Sequence, residues 1–183
     1  CGNPTGPERL RRKLVGEITC DDNGISLNSC QRGGTKFVGD SKATLILARA
    51  QQQIAVGDVS KFYHQFILSG TDQSLRRLLV PVNWSDPEAG FNTFVERMMP
   101  FGDAAAGPLA VLGRIKNCEV NLHLAPPNLQ KSVELAFGPG SYVDDVVAGA
   151  PWEANIQDTI DATELVAKAG GLSFKEWTKV GDS

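Results

Sequence analysis

The sequence predicts an α+β fold in which helices cover one face of a β-sheet. Three observations support this prediction. The chain has 183 residues, 42% of them hydrophobic, which is enough to bury the core of one domain or of two small ones. Segments with strand composition alternate with helical segments, in the order strand, helix, strand, helix, strand pair, helix, strand. Clusters of Gly, Pro, Asn and Asp separate these segments and mark the turns between them.

The first half of the chain is predicted to contain four strands and one helix. We expect strands over 10–19, 54–56, 75–82 and 93–98, and a helix over 41–53 with Ser41 as its N-cap. Residues 59–68 alternate aromatic and polar side chains, a pattern that fits either a helix or a strand.

The second half of the chain contains the clearest helix. Residues 152–169 have helical composition and end at Gly170–Gly171, since glycine is typical of a helix C-terminus. The other expected elements are helices over 104–117 and 131–137, strand residues over 141–148, and a final strand or hairpin over 172–180.

Composition excludes several classes of protein. No apolar run approaches the ~18 residues of a membrane span, and the N-terminal segment lacks the apolar stretch of a secretory signal. The four cysteines and two histidines lack the spacing of a zinc site, so we expect an intracellular protein with reduced thiols. Because the chain does not begin with Met, we also expect it to be part of a longer protein.

The net charge of −3 conceals an uneven distribution along the chain. Residues 1–49 carry a net charge of +3, whereas residues 117–183 carry a net charge of −6. This favours cation binding in the acidic part and anion binding by the basic N-terminal arm, and uneven charge on a solvated surface explains it equally well. The total charge is not that of a protein that binds nucleic acid through an overall basic surface.

Two adjacent aspartates are the most informative feature. Asp144 and Asp145 follow Tyr142 and Val143, whose strand preference fits the tight turn of a hairpin. Adjacent carboxylates repel, so Mg²⁺ or Mn²⁺, which prefer oxygen ligands, would stabilise them. Asp58 follows the apolar run Ile-Ala-Val, and two such strand ends side by side would place three carboxylates around two metal ions. The alternatives are a solvated Asp-Asp turn and, for Asp58, a helix N-cap.

Four motifs stand in a fixed order along the chain: DVSKFYHQF at 58–66, MPFGDAAAGPLA at 99–110, YVDD at 142–145 and GGLSFKEW at 170–177. In order and spacing they resemble the reverse transcriptase of LTR retrotransposons. The segments ISLNSCQRGGTKFVGD and IAVGDVSKFYHQ resemble the BEL/Pao type in particular. The resemblance covers roughly residues 10 to 180.

This resemblance implies an RRM-like polymerase palm, with an antiparallel sheet and helices on one face, and part of the fingers. Residues 1–50 would be partial fingers and residues 51–183 the palm, with a fingers insertion around 70–98; the thumb and RNase H domains are not covered. The implied activity is that of an RNA-directed DNA polymerase, a nucleotidyltransferase that extends a primer with dNTP against an RNA or DNA template.

The resemblance also implies roles for the acidic residues. Asp58, Asp144 and Asp145 would be the catalytic triad, which holds two Mg²⁺ or Mn²⁺ ions together with the backbone of Val59. Lys175 is the candidate donor of a proton to the leaving pyrophosphate.

Other positions would contact the nucleotide and the nucleic acid. By the same resemblance, Tyr63 is the gate that excludes the ribose 2′-OH, and a core aromatic is the alternative for this residue. The remaining positions are Phe101 and Gly102 beside the template and incoming base, Arg12 and Lys13 at the triphosphate, and Tyr142 and Val143 at the primer and template.

The implied partners are the template with its primer, dNTP, and the remainder of a Pol polyprotein, namely thumb, RNase H and integrase, with no membrane. Such a protein would act in cytoplasmic virus-like particles, in the nucleus, or in both.

The uncovered thumb, the acidic C-terminal third and departures from the family favour an alternative, a catalytically inactive or domesticated domain that acts as a binding or structural module. Gly107 precedes Pro108 where the family has Ser, beside the unusual Asp103, and Glu176 precedes Trp177 where the family has Lys. A Mg²⁺-dependent phosphate enzyme on another fold is the second alternative.

Overall fold

The structure, a computed structural model, describes residues 26–31, 33, 41–150 and 154–181. These residues belong to two compact units. The first unit contains the described residues up to 31 and Tyr63–Ala106, and the second contains the described residues of Gly33–Phe62 and Gly107–Ser183. The predicted strand over 10–19, and with it Arg12 and Lys13, lies outside the described residues.

Both units combine helices with antiparallel strands. The helices are α1 (Leu27–Cys30), α2 (Ser41–Arg49), α3 (Gly70–Ser74), α4 (Ala106–Asn121), α5 (Gln130–Phe137) and α6 (Ile156–Ala169). The strands are β1 (Gln53–Val59), β2 (Arg77–Pro81), β3 (Phe91–Val95), β4 (Ser141–Tyr142), β5 (Asp145–Ala150) and β6 (Phe174–Val180). Short 3₁₀ turns stand at Phe62–Gln65, Pro87–Ala89 and Leu122–Leu124.

A four-stranded antiparallel sheet forms the centre of the second unit, with the strand order β4-β5-β1-β6. Its apolar core lies between the sheet and α6. Ala55 and Ala150, on neighbouring strands, cluster with Ile156 and Ile160 of α6, and Trp177 of β6 packs against this cluster. Small residues on the strands and branched residues on the helix therefore bring the two layers close together.

Trp177 also explains a glycine in the middle of β1. A Cβ atom on Gly57 would come within 2.7 Å of the Trp177 ring, which lies over the strand at this position. Because successive strand residues point to opposite faces, the next residue, Asp58, points away from the Trp177 side of the sheet. The end of β1 therefore carries a carboxylate on one face and a partly buried aromatic ring on the other.

The two ends of α6 show why this helix has its observed length. The side chain of Asn155 caps the N-terminus by accepting a hydrogen bond of 2.9 Å from the Gln157 amide. The helix therefore begins at Ile156, and the predicted start at 152 is wrong. At the other end, Gly171 adopts a φ of +82°, and the prediction of a glycine-terminated helix is confirmed.

The first unit is built around the β2–β3 hairpin, which pairs from Arg77 opposite Val95 to Pro81 opposite Phe91. The sequence predicts both strands, although β3 begins and ends earlier than expected. The short helix α3 is not predicted; the side chain of Ser69 caps it by accepting from the Asp72 amide.

The α+β class predicted from the sequence is confirmed for the described residues. The strand predicted at 54–56 is longer on both sides, and the helices predicted at 104–117 and 131–137 are α4 and α5 with small shifts of their ends. Residues 59–68 form neither of the expected long elements but contain the 3₁₀ turn at Phe62–Gln65. No helix in the described part of the chain is long and apolar enough to cross a membrane.

Candidate functional site

The pairing of β1 with β5 brings together acids that are distant in the sequence. Asp58 and Asp145 are directly opposite each other in the antiparallel register. Opposite residues in such a pair have their side chains on the same face of the sheet. Asp144 is joined to the same strand end, because the Val59 amide donates a hydrogen bond of 2.9 Å to its carbonyl oxygen. The three acids predicted from the motifs therefore meet at one end of the β1–β5 pair.

The turn between β4 and β5 consists of Val143 and Asp144. The sequence predicts both aspartates in this turn, but Asp145 is instead the first residue of β5. Val143 has a φ of +53°, which is unfavourable for a β-branched residue. Its carbonyl oxygen accepts a hydrogen bond of 2.5 Å from Nη1 of Arg114 in α4. Consecutive carbonyls of this turn, at Val143 and Asp144, are thus held from two different elements.

Electrostatics at the strand end are unfavourable for a full set of ionised acids. Burial, together with the charges of Asp144 and Asp58, raises the pKa of the Asp145 carboxyl, and Lys175 opposes this rise. Nζ of Lys175 lies 2.8 Å from Oδ2 of Asp58, and this hydrogen bond raises the pKa of Lys175. The acids therefore share a region of negative potential with one ammonium group at its edge.

The donor chemistry of this strand end fits a divalent cation. The three acids provide only oxygen ligands, which Mg²⁺ and Mn²⁺ prefer. Oδ1 of Asp58 is buried and has no hydrogen-bond partner among the described residues, so one carboxylate oxygen is left without a donor or a cation. As they stand, no three His, Cys, Asp or Glu side chains in the described part form a group that could hold a metal ion. The residues that would hold one are Asp58, Asp144, Asp145 and the Val59 backbone.

The first unit brings together two of the predicted nucleotide-binding residues. Tyr63 and Phe101 contact each other edge to face, with ring centroids 4.5 Å apart. Phe101 is exposed, and Gly102 next to it has a φ of +95°, which favours glycine at this position. The exposed Phe101 ring, with the half-buried Tyr63 against it, provides an apolar surface beside this loop.

No protein-family model matches the chain, and no curated protein is significantly similar to it. The family therefore stays a prediction from the order of the motifs. What the structure adds is the arrangement of the residues within each unit.

Three side chains hold the loop after Phe101, and of these only Asp103 belongs to the four motifs. Asn28 donates a hydrogen bond of 2.7 Å from Nδ2 to the carbonyl of Gly102, and its Oδ1 accepts one of 3.0 Å from the Ala104 amide. Asp103 forms a buried ion pair with Arg76, which precedes β2. The sequence signals only Asp103, as an unusual acid within the motif. Asn28 lies in the segment ISLNSCQRGGTKFVGD, but the resemblance assigns it no role.

Arg114 is the second residue that sequence reasoning misses. It is 1% exposed and stands in a stretch of α4 that is otherwise rich in Ala, Leu, Val and Gly. A single arginine in such an apolar stretch is a signal that could have been noticed.

The remaining predicted residues have the following positions. Tyr142 ends β4 and is about half exposed, and Lys175 lies on β6 within reach of Asp58. Arg12 and Lys13 are outside the described residues. Their proposed contact with a triphosphate stays a prediction from the resemblance.

Proposed function

We propose that the chain is the palm and partial fingers of an RNA-directed DNA polymerase. It transfers a nucleotide from dNTP to a primer 3′-OH against an RNA or DNA template, as part of a retrotransposon Pol polyprotein. The observation that carries this proposal is the register of β1 and β5. It sets Asp58 opposite Asp145 and joins Asp144 to the same strand end through the Val59 amide.

Bound Mg²⁺ or Mn²⁺ would supply the charge that lowers the pKa of the primer hydroxyl and neutralises the leaving pyrophosphate. The chain's own residues provide the oxygen ligands and keep them together. The pKa of Asp145 is raised because its carboxylate is partly buried and is repelled by Asp144 and Asp58. Asp58 has a buried oxygen without a hydrogen-bond partner in the described residues. Both properties favour uptake of a cation, because a cation removes the repulsion between the carboxylates.

Tyr63 and Phe101 support the assignment of a nucleotide surface in the first unit. Tyr63 is half-buried and has its ring against Phe101, so its position is defined by packing. A ring held in this way can exclude a 2′-OH from a sugar by contact alone, without a hydrogen bond. Gly102 beside this pair allows the backbone to approach a ligand closely.

Lys175 has a different role while it is paired with Asp58. A raised pKa makes its ammonium a weaker acid, so it gives up a proton less readily in this state. In the chain without bound metal or nucleotide, Lys175 acts as the counter-cation of Asp58. For Lys175 to donate a proton to pyrophosphate, its ion pair with Asp58 would first have to break.

One observation favours a second function, a catalytically inactive domain that acts as a binding module. The Lys175 ammonium engages an oxygen of Asp58 that the polymerase needs for metal. If this ion pair persists in the presence of Mg²⁺, the acids serve stability and no catalysis follows.

Primer extension on poly(rA) with an oligo(dT) primer and Mg²⁺, combined with Mn²⁺ titration calorimetry, tests these functions. We expect Mn²⁺ to bind and to raise the free energy of unfolding by about 1–3 kcal/mol at saturation. Binding should be lost in the Asp58→Asn, Asp144→Asn double variant. Extension should fall roughly 10³-fold or more in Asp144→Asn, the scale for one member of a catalytic unit.

Asp161→Asn is the matched control, because Asp161 is an exposed acid on α6 whose one side-chain hydrogen bond within the described residues is to Gln157 of the same helix. Binding of Mn²⁺ that the double variant retains would refute the site. Binding that requires the acids but supports no extension would favour the binding module over the polymerase.

A further inference from the structure

Arg114 has an unusual environment for a charged side chain. It is 1% exposed and has the largest of the fully buried side chains among the described residues. The guanidinium contacts the Val143 carbonyl, 2.5 Å from Nη1, and the Phe62 ring, whose centroid is 5.8 Å from the guanidinium carbon. Within the described part of the chain its Nε has no hydrogen-bond partner and the side chain forms no ion pair.

Stability alone does not account for this residue. Burial of a charge costs free energy that a single carbonyl and an aromatic ring offset only in part. An apolar side chain of similar volume would fill the same space without that cost. A buried cation in this place is therefore useful for what it does to its neighbours.

The neighbours of Arg114 belong to the candidate catalytic turn. Val143, whose carbonyl it holds, is in the unfavourable φ > 0 region and directly precedes Asp144. The charge of Asp144 attracts the guanidinium, and burial lowers the pKa of Arg114 to about 10, so it remains a cation at neutral pH. Arg114 thus provides both a hydrogen bond that holds the turn and a positive charge beneath the adjacent acids.

We propose that Arg114 is a positioning residue, which holds the Val143–Asp144 turn against β1 so that Asp144 and Asp145 stay beside Asp58. This inference rests on the proposed function for its effect on catalysis. Its effect on the turn is independent of that function, because the contact exists without metal or substrate.

Hydrogen exchange measured by NMR tests the positioning directly. The Val59 amide reports on the turn, since its acceptor is the Asp144 carbonyl, and the buried Val166 amide of α6 reports on the core of the same unit. In Arg114→Met we expect exchange at Val59 to accelerate about 10-fold or more while exchange at Val166 stays within about 2-fold. Lys116→Met is the control on the same helix, because Lys116 is exposed and pairs only with Glu119 in the structure.

Metal affinity and kinetics give the second readout. Loss of a group that orients ligands costs about 10–100-fold in metal affinity or activity, so Arg114→Met should weaken Mn²⁺ binding and lower kcat on this scale. The KM for dNTP should stay within about 2-fold, because Arg114 is not proposed to contact the nucleotide. Arg114→Lys should recover most of both losses, since it keeps the charge and a donor.

Equal acceleration at Val59 and Val166, with Mn²⁺ affinity unchanged, would overturn the proposal in favour of a purely structural role. If Arg114→Met does not fold, Arg114→Gln is read in its place on the same two amides, where equal rates again refute the proposal. A wild-type chain that binds no Mn²⁺ refutes the proposed function, while the comparison of Val59 with Val166 still decides whether Arg114 positions the turn.

Discussion

Two arginines hold two loops that carry candidate site residues, and they do so differently. In the first unit, Arg76, which is partly buried, pairs with the buried Asp103, an acid of the loop itself, while Asn28 holds the loop backbone. In the second unit, the buried Arg114 donates a hydrogen bond to the Val143 carbonyl and forms no ion pair within the described residues. Arg76 therefore neutralises a carboxylate of its loop, whereas Arg114 holds its turn through the backbone and leaves Asp144 and Asp145 without an ion pair to it.

The contacts that hold each loop decide which of its side chains can bind a ligand. A loop whose acid is consumed in an ion pair can present only its other side chains, here Phe101 with Tyr63 against it. A turn that is held by its carbonyls keeps its carboxylates for chemistry.

The largest effect is expected from breaking the Arg76–Asp103 pair. Arg76→Met leaves the buried Asp103 carboxylate without its counter-ion, which typically costs about 3–5 kcal/mol of the free energy of unfolding. Urea denaturation measures this loss. The double variant Arg76→Met, Asp103→Leu should recover most of it, because no unpaired charge remains. A single variant that loses less than about 1 kcal/mol would show that the pair is solvated and would remove the basis of the comparison.

Arg114→Met should cost less, although Arg114 is the more deeply buried arginine. Its removal leaves one carbonyl without a donor, which costs about 1–3 kcal/mol, but it also relieves the burial of a charge, so we expect a net loss below that of Arg76→Met. The same denaturation series compares the two variants. A larger loss for Arg114→Met than for Arg76→Met would mean that an unseen charge interaction holds the turn.

Tyr63→Ala tests whether Tyr63 of the first unit contacts the sugar of the incoming nucleotide. If Tyr63 is the sugar gate, incorporation of rNTP relative to dNTP should rise, with a loss of discrimination of about 1–3 kcal/mol. If Tyr63 is only a core aromatic, the change should instead cost about 3–5 kcal/mol of stability. The melting temperature and the ratio of rNTP to dNTP incorporation distinguish the two in one preparation. A stable variant with unchanged sugar selectivity would contradict the gate.

The smallest effect concerns the pH dependence of the second unit. Burial and the neighbouring acids raise the pKa of Asp145 above 3.8, so the folded state holds this proton more tightly than the unfolded chain does. The contribution of Asp145 to stability is therefore complete below pH 3.8 and is lost as the pH rises through the folded pKa. In metal-free buffer, the free energy of unfolding of the wild type minus that of Asp145→Asn should fall across this window. A difference that is constant or rises with pH would contradict the shared negative charge at the strand end.

Local features of the sequence were sufficient to predict several elements. The β-rich residues around Asp144 and Asp145 predict a hairpin, and the glycines after residue 169 predict a helix end, because turns and caps depend on residues a few positions apart. The strand before Asp58 is predicted for the same reason. The short helix α3 is not predicted, because a capping serine before so short a polar segment is equally typical of a loop.

The candidate site was predictable only as a set of residues. Motif order selects Asp58, Asp144 and Asp145, but their meeting depends on the antiparallel register of β1 and β5, which joins distant parts of the chain. The supporting residues follow from packing. Arg114 holds Val143 because α4 passes beneath the turn in the folded second unit, and Arg76 meets Asp103 because the first unit folds the two together.

The sequence by itself determined the α+β class, the hairpin, the glycine that ends α6 and the residue types of the acidic cluster, since these depend on local preference and on chemistry that each side chain always has. Only the tertiary structure decided which acids face one another, which carboxylate is held in an ion pair and which remains available. Burial, register and a positive φ at Val143 arise from contacts between segments far apart in the chain, and no local pattern records them.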